Sequence, residues 1–143
     1  MKRSNGHHHS RKLTKSDYEA LAQFRYLMRK YVGFSEAAAH EADLTTQQHQ
    51  ALLAIRGFPG RERITVGELA ERLNVRHHSV VGLIDRLSVR DLVCRRRDAI
   101  DGRRVLIELS SKGRLLLAGL SLVHRDELRR LAPMLKQLLA HVE

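Results

Sequence analysis

The chain has 143 residues, which fits one domain with or without extra terminal helices, and carries a net charge of +10 at pH 7. No apolar run is long enough to span a bilayer, and no apolar segment follows the basic start, so neither a membrane span nor a secretory signal is expected. The single cysteine, Cys94, excludes an intrachain disulfide framework and points to a reducing compartment, the cytoplasm.

The charge is unevenly placed. Residues 1–15 hold Lys and Arg but no acid, and read as a flexible basic arm whose three histidines take no part in the fold. Basic residues also outnumber acids over 45–112. A chain this basic suits a polyanionic partner: nucleic acid first, an anionic membrane surface second. Solubility alone is the competing explanation of the charge.

In chain order, "SDYE" predicts a helix capped by Ser16 and Glu19, with Leu21, Phe24, Met28 and Tyr31 at helical spacing and Gly33 as its end. "SEAAAHEAD" (35–43) predicts a second, short helix. Thr45 with Gln48 opens a third, running to about Ile55, and "GFPG" breaks it. Thr65 with Glu68 opens a fourth, whose Val66, Leu69, Ala70 and Leu73 share a face. Asn74 sits where the chain must turn, because it tolerates the left-handed conformation. Another helix follows at once, Arg76 to about Leu92. Two helices so closely joined, with the small Ala70 at the bend, read as a helix-turn-helix.

The period then changes. "VCRRRD" and "RRVLIEL" are strand-like, Val105, Ile107 and Leu109 alternate onto one face, and Asp101-Gly102 signals a hairpin turn. A hairpin after a helix-turn-helix is a wing. From Ser111 the helical pattern returns, apolar nearly all round over 115–123, and Pro133 starts or kinks a last helix. The expected fold is mainly α with a small β-wing: a winged helix-turn-helix (45–113) flanked by N-terminal (16–44) and C-terminal (114–143) dimerisation helices. The terminal helices carry more apolar surface than the lobe can bury, which argues for a symmetric dimer.

On the second helix of the pair, Val80, Leu83, Ile84 and Leu87 form a core face. Arg76, His77, His78 and Ser79 form a polar start, and Gly82 and Arg86 lie away from the core. This part of a helix-turn-helix enters a major groove, where Arg76 suits guanine and Ser79 or the histidines suit bases or phosphates. A solvated polar face is the competing reading. Gly82 in mid-helix costs roughly 1 kcal/mol relative to Ala, which weakly favours close approach to DNA. A metal site at His77-His78 is not expected, since adjacent helix residues point about 100° apart and no further ligand is spaced nearby.

The wing gathers Arg95, Arg96, Arg97, Arg103 and Arg104 around its turn. A narrow hairpin tip reaches a minor groove, whose negative potential attracts guanidinium, while arginines along the strands suit phosphates. Asp101 either orients an arginine or closes the turn through its side chain.

Residues 64–113 resemble the winged helix-turn-helix of the MarR family of bacterial transcription regulators. The resemblance rests on "ELAERLNV", on "LIDRL" and "DLV" leading into the wing, on Asp101-Gly102-Arg103, and on "LSSKG" opening the next helix. It implies a homodimer on double-stranded DNA, with recognition helices in successive major grooves of a pseudo-palindrome. It makes Arg103 the wing arginine and Asp101 its partner. It also implies repression relieved by a small aromatic or anionic effector, bound between the terminal helices and the lobe, with no cofactor. Gly82 departs from the larger polar residue common in the family. Cys94 is placed for a buried structural thiol rather than a redox sensor.

All the aromatics precede the helix-turn-helix. Tyr26, Tyr31 and Phe34 are candidates to line an effector pocket, against dimer-core packing. Glu36, His40, Glu41 and His124 are read as surface helix residues, not metal ligands. The alternative function is a winged-helix module that docks an acidic protein. An enzyme is not expected, because zinc-protease, phosphate-loop and nucleophile-elbow motifs are missing. Single-strand or RNA binding is disfavoured, because residues 59–143 hold no aromatic on which a base could stack.

Overall fold

A computed structural model describes residues 12–143. Most of the basic arm expected at 1–15 therefore lies outside the described residues. The elements are α1 (Lys15–Glu41), α2 (Thr46–Arg56), β1 (Ile64–Thr65), α3 (Val66–Leu73), α4 (His77–Val89), β2 (Val93–Arg97), β3 (Val105–Leu109) and α5 (Ser111–Val142).

Three helices start on reciprocal caps. The Thr45–Gln48 and Thr65–Glu68 boxes form as expected, each side chain bonding the other residue's backbone N–H. The first helix differs: its cap is Thr14 with Asp17, and Ser16 lies inside the first turn. The Asp17 carboxylate accepts from Thr14 N–H at 2.7 Å, so Thr14, also followed three residues on by an acid, wins the cap.

The helix ends share a device. Asp43, Asn74 and Asp91 all adopt left-handed backbone, with φ of 57°, 53° and 57°. The next residue's N–H then bonds a carbonyl five residues back: Leu44 to Ala39, Val75 to Ala70, Leu92 to Leu87. Leu44 and Leu92 are buried in the core, so each turn is closed by a hydrogen bond and an apolar plug. This corrects two expectations. Gly33 does not end α1, which runs on from Ser35 to Glu41, and α4 stops at Val89 instead of Leu92. The roughly 1 kcal/mol helical penalty of Gly33 is outweighed by continuing to the buried Ala39. Pro133 likewise lies within one unbroken α5 and starts no helix. Its missing N–H costs that helix one ladder bond.

The core lies where α2, α3, α4 and the sheet meet. Leu52, Ile55, Ile64, Leu69, Val80, Ile84, Leu87, Leu92 and Ile107 are fully buried there. Each contributes about 1.5–3 kcal/mol relative to exposure. Leu117 and Leu120 extend the cluster onto α5. The sheet has three strands in the order β1-β3-β2, all pairs antiparallel. The two-residue β1 was not expected from the sequence; it is too short to show a period. Val105, Ile107 and Leu109 share a face as expected, but Val105 lies beyond the core and is 42% exposed.

Candidate nucleic-acid interface

Val80, Leu83, Ile84 and Leu87 anchor α4 in the core, which turns its opposite face outward. His77, His78 and Ser79 are exposed in its first turn, and Arg76 is the exposed N-cap with no side-chain capping bond. Open backbone N–H groups and the positive end of the helix dipole thus accompany these polar side chains.

At Gly82 the space that a side chain would fill is bordered by Arg86, whose Nη1 would lie 3.4 Å from an added Cβ. The backbone there is ordinary helix, so the glycine answers no conformational need. Gly82→Ala is therefore expected to raise stability by about 0.5–1 kcal/mol while displacing the end of Arg86. A urea unfolding midpoint that fails to rise would show that the glycine has a packing role in the free protein.

Strand register sorts the wing arginines. Residues directly opposite one another in an antiparallel pair share a face. Arg95 faces Ile107, so it points to the core side, toward α4. There its guanidinium pairs with Asp85 and bonds Ser88 Oγ at 3.2 Å. Arg96 faces Leu106 on the outer side, where it meets Glu108. Glu108 is only 8% exposed and is held between Arg63 Nε and Arg96 Nε, both at 2.8 Å. The Arg96 hydrogen bond, joined by that of Arg63, holds the Glu108 carboxyl below its ordinary range against the opposing effect of burial. These pairs brace the wing: Arg95 fastens β2 to α4, and Glu108 ties β3 to β2 and to the segment before β1.

The tip is not the two-residue hairpin that Asp101-Gly102 predicted. Seven residues, 98–104, connect the strands. Asp98 N–H bonds Arg104 O and Arg104 N–H bonds Asp101 O, both at 3.0 Å. Asp98 Oδ1 accepts from Ile100 N–H and Asp101 Oδ1 from Arg103 N–H. Two consecutive aspartate turns thus widen the loop, a length that local turn preference does not encode. Of the two roles considered for Asp101, it closes the turn. Arg97 Nη1 reaches Gly102 O at 3.4 Å across the loop. The Arg103 and Arg104 side chains are exposed and meet no acid or carbonyl among the described residues. Beside them Ile100 is 97% exposed, a feature the sequence reading passed over.

A second feature lies between α1, α2 and α5: a cavity of about 360 Å³ lined in part by Tyr31, Ser35, His49, His124 and Leu128. His124 is buried, contrary to its expected place on a helix surface. Its Nδ1 lies 2.7 Å from Leu120 O and its Nε2 2.8 Å from Ser35 Oγ. The carbonyl can only accept, so Nδ1 carries a proton, and Nε2 shares a hydrogen bond with the serine hydroxyl. The rings of Tyr31 and Phe34 meet His124 edge-on, and His49 lies 4.8 Å from it. Tyr31 and Phe34 are thus brought together, whereas Tyr26 stands apart, half exposed beneath Lys30. Among the described residues no three His, Cys, Asp or Glu side chains gather as metal ligands.

His49 is 3% exposed and its Nδ1 has no hydrogen-bond partner among the described residues. Burial first, then the charge of His124, push its pKa below the ordinary 6.5. The folded state therefore resists a proton that the unfolded chain takes up at about 6.5. Stability from this group is full above that pH and is lost as pH falls from there toward the lower folded value. Urea unfolding at pH 7.5 and 5.5 is expected to show a smaller acid loss for His49→Phe than for the unaltered chain. Equal losses would refute it.

A helix-turn-helix followed by a protruding basic hairpin defines the winged helix-turn-helix class. The model of the MarR family matches residues 42–104 of this chain. Among solved structures, a DNA complex of MepR from S. aureus superimposes with TM-score 0.67 at 20% identity, over 92% of this chain and 95% of that one. MarR from E. coli, in its apo form, gives 0.67 at 21%, over 92% and 98%. AbsC from Streptomyces coelicolor, a MarR family transcriptional regulator, gives 0.66 at 20%, over 85% and 81%. These likenesses establish the fold. No curated protein matches the chain by sequence. No described helix is long and apolar enough to cross a membrane.

Proposed function

We propose that this protein is a sequence-specific regulator of transcription that binds double-stranded DNA as a homodimer and represses. The observation that carries the reading is the pairing of α4's exposed polar start with a braced wing whose Arg103 and Arg104 meet no protein partner among the described residues. Side chains already committed to carboxylates, as Arg95 and Arg96 are, would have to break those pairs to reach DNA. Arg103 and Arg104 need break none. The DNA-bound state of MepR, which shares this fold, supports the reading.

Two-fold symmetry comes from the terminal elements. Leu21 and Phe24 on α1, and Leu139 and Val142 on α5, are exposed apolar side chains near where the start of α1 meets the end of α5 through Asp17 and His141. Residues 16–44 and 114–143 supply the dimer contacts in this reading, and 45–113 the DNA-binding lobe. A dimer then sets two recognition helices one helical turn apart on a pseudo-palindrome. The cavity beside His49 and His124 is the site for a small aromatic or anionic effector, because it lies where terminal helices meet the lobe.

The test is fluorescence anisotropy on duplex DNA from the region upstream of the protein's own gene, beside a scrambled duplex, over a salt series. Tight binding to the first and loss on the second is the expected result. Equal, weak and fully salt-sensitive binding to these and to genome-selected duplexes would refute sequence-specific recognition and favour an acidic protein as the partner.

A further inference from the structure

The wing tip ends in a side chain that its charge does not explain. Ile100 is 97% exposed, while the loop around it, apart from the small Ala99 and Gly102, is acidic or basic. Lone exposed apolar residues are common on protein surfaces and by themselves mean little. Here the surrounding geometry gives the residue a direction. Asp98 Oδ1 accepts from Ile100 N–H at 3.0 Å, and Asp98 N–H bonds Arg104 O across the loop. The Ile100 backbone is therefore tied into the loop segment that carries Arg103 and Arg104. A β-branched side chain is also stiff at its first torsion. The tip thus offers a fixed apolar projection beside guanidinium groups that have no protein partner among the described residues.

We propose that Ile100 is a specificity-determining residue, which lies on the floor of the minor groove and excludes G·C pairs beneath the wing. The inference rests on the DNA-binding reading above. Its chemistry follows from what the minor groove displays. A·T and T·A pairs present only the acceptors adenine N3 and thymine O2, whereas G·C adds the guanine N2 amino group, a donor that projects into the groove. Isoleucine can neither accept that hydrogen bond nor share its volume. Over A·T it meets a flat floor whose acceptors lose water, a cost that the acceptors of G·C share. Over G·C it strips water from a donor and leaves that donor unpaired, which is the costly way to bury a polar group. Arginine at the same place favours narrow, A·T-rich grooves through potential alone. Ile100 adds a steric and desolvation criterion that salt does not screen.

The experiment uses the full chain and three operator duplexes that differ only under the two wings, at positions located by hydroxyl-radical footprinting. One carries A·T pairs, one G·C, and one inosine·C. Inosine keeps the major-groove face of guanine and lacks only the N2 amino group. The unaltered protein is expected to bind the A·T and inosine·C duplexes alike, and G·C about tenfold or more weakly with both flanks changed. In Ile100→Ser the penalty for G·C against inosine·C should shrink severalfold, while Ile100→Val retains most of it. The Arg103 contribution is present in every variant, so the difference isolates Ile100. At 0.3 M salt affinities should fall together and the Ile100-dependent ratio persist. An unchanged ratio in Ile100→Ser, or no discrimination by the unaltered protein, overturns the proposal. If no duplex binds above scrambled DNA, the DNA-binding reading itself has failed.

Discussion

Arg103→Ala is expected to abolish specific DNA binding while leaving the fold intact. The Asp101 carboxylate closes the turn by accepting from Arg103 N–H, so it positions the arginine's backbone and leaves the guanidinium free to meet a ligand. A well-placed arginine contact is worth about 1–3 kcal/mol, and a homodimer loses two of them. The combined loss of about 2–6 kcal/mol corresponds to a weakening of roughly thirtyfold to twenty-thousandfold. The dependence of log affinity on log salt should become shallower by about two, one contact per protomer. Unfolding should shift by less than about 0.5 kcal/mol, because the side chain is exposed at the tip of a loop. Arg103→Lys keeps the charge without the planar fork, so it should restore the salt dependence but only part of the affinity. Anisotropy and urea unfolding on the same preparations give both readings. Undiminished affinity in Arg103→Ala would remove the wing from the interface.

The largest effect on stability is expected at Gly113. A Cβ added there would lie 2.1 Å from Leu92 O and 3.0 Å from Leu92 C. Both are backbone atoms, so no side chain can swing aside. Nor can either segment move alone. Ser110 N–H bonds Leu92 O at 3.0 Å, and Ser110 Oγ caps α5 through Gly113 N–H at 2.9 Å while donating to Asp91 O. The start of α5 is thus pressed onto the turn that leads from α4 into the wing. Gly113→Ala should cost about 3 kcal/mol or more, the upper range for overpacking a filled core. The melting temperature should fall by roughly 6–12 °C for a chain of this size. Gly119→Ala is the control on the same helix: nothing lies within 4 Å of its added Cβ, so relief of the helical glycine penalty should stabilise by up to about 1 kcal/mol. Circular-dichroism melts of the two variants should move in opposite directions. A Gly113→Ala protein that melts with the unaltered chain would show that the α5 start yields easily.

Much of the lobe was legible because its signals are local. Two capping boxes, the 3.6-residue spacing of Val80, Leu83, Ile84 and Leu87, and Asn74 at the turn each lie within a few residues, and each forms as read. The errors came where local signals competed. Ser16 and Thr14 are both good caps, and backbone bonding chose between them. Gly33 resembled a helix end, whereas the real ends are the left-handed Asp43 and Asp91, whose conformation depends on a leucine finding the core one residue later. Pro133 resembled a break, yet α5 is continuous through it. Of the interface, the sequence named Arg103 and Asp101 as a pair but could not tell whether the aspartate would hold the arginine's side chain or its backbone.

By itself the sequence determined the helix-turn-helix, the change of period into the wing, the excess of positive charge there and the lobe's resemblance to a known family. Periodicity, caps and composition are properties of neighbouring residues, and they survive without knowledge of what packs on what. Only the tertiary structure decided which wing arginines are committed to the fold. Asp85 is 10 residues from Arg95 along the chain, and Glu108 is 45 from Arg63 and 12 from Arg96. It also buried His124 against Ser35, 89 residues away, beside a His49 nitrogen with no hydrogen-bond partner among the described residues. Pairings across such separations depend on strand register and helix packing, which no local pattern records.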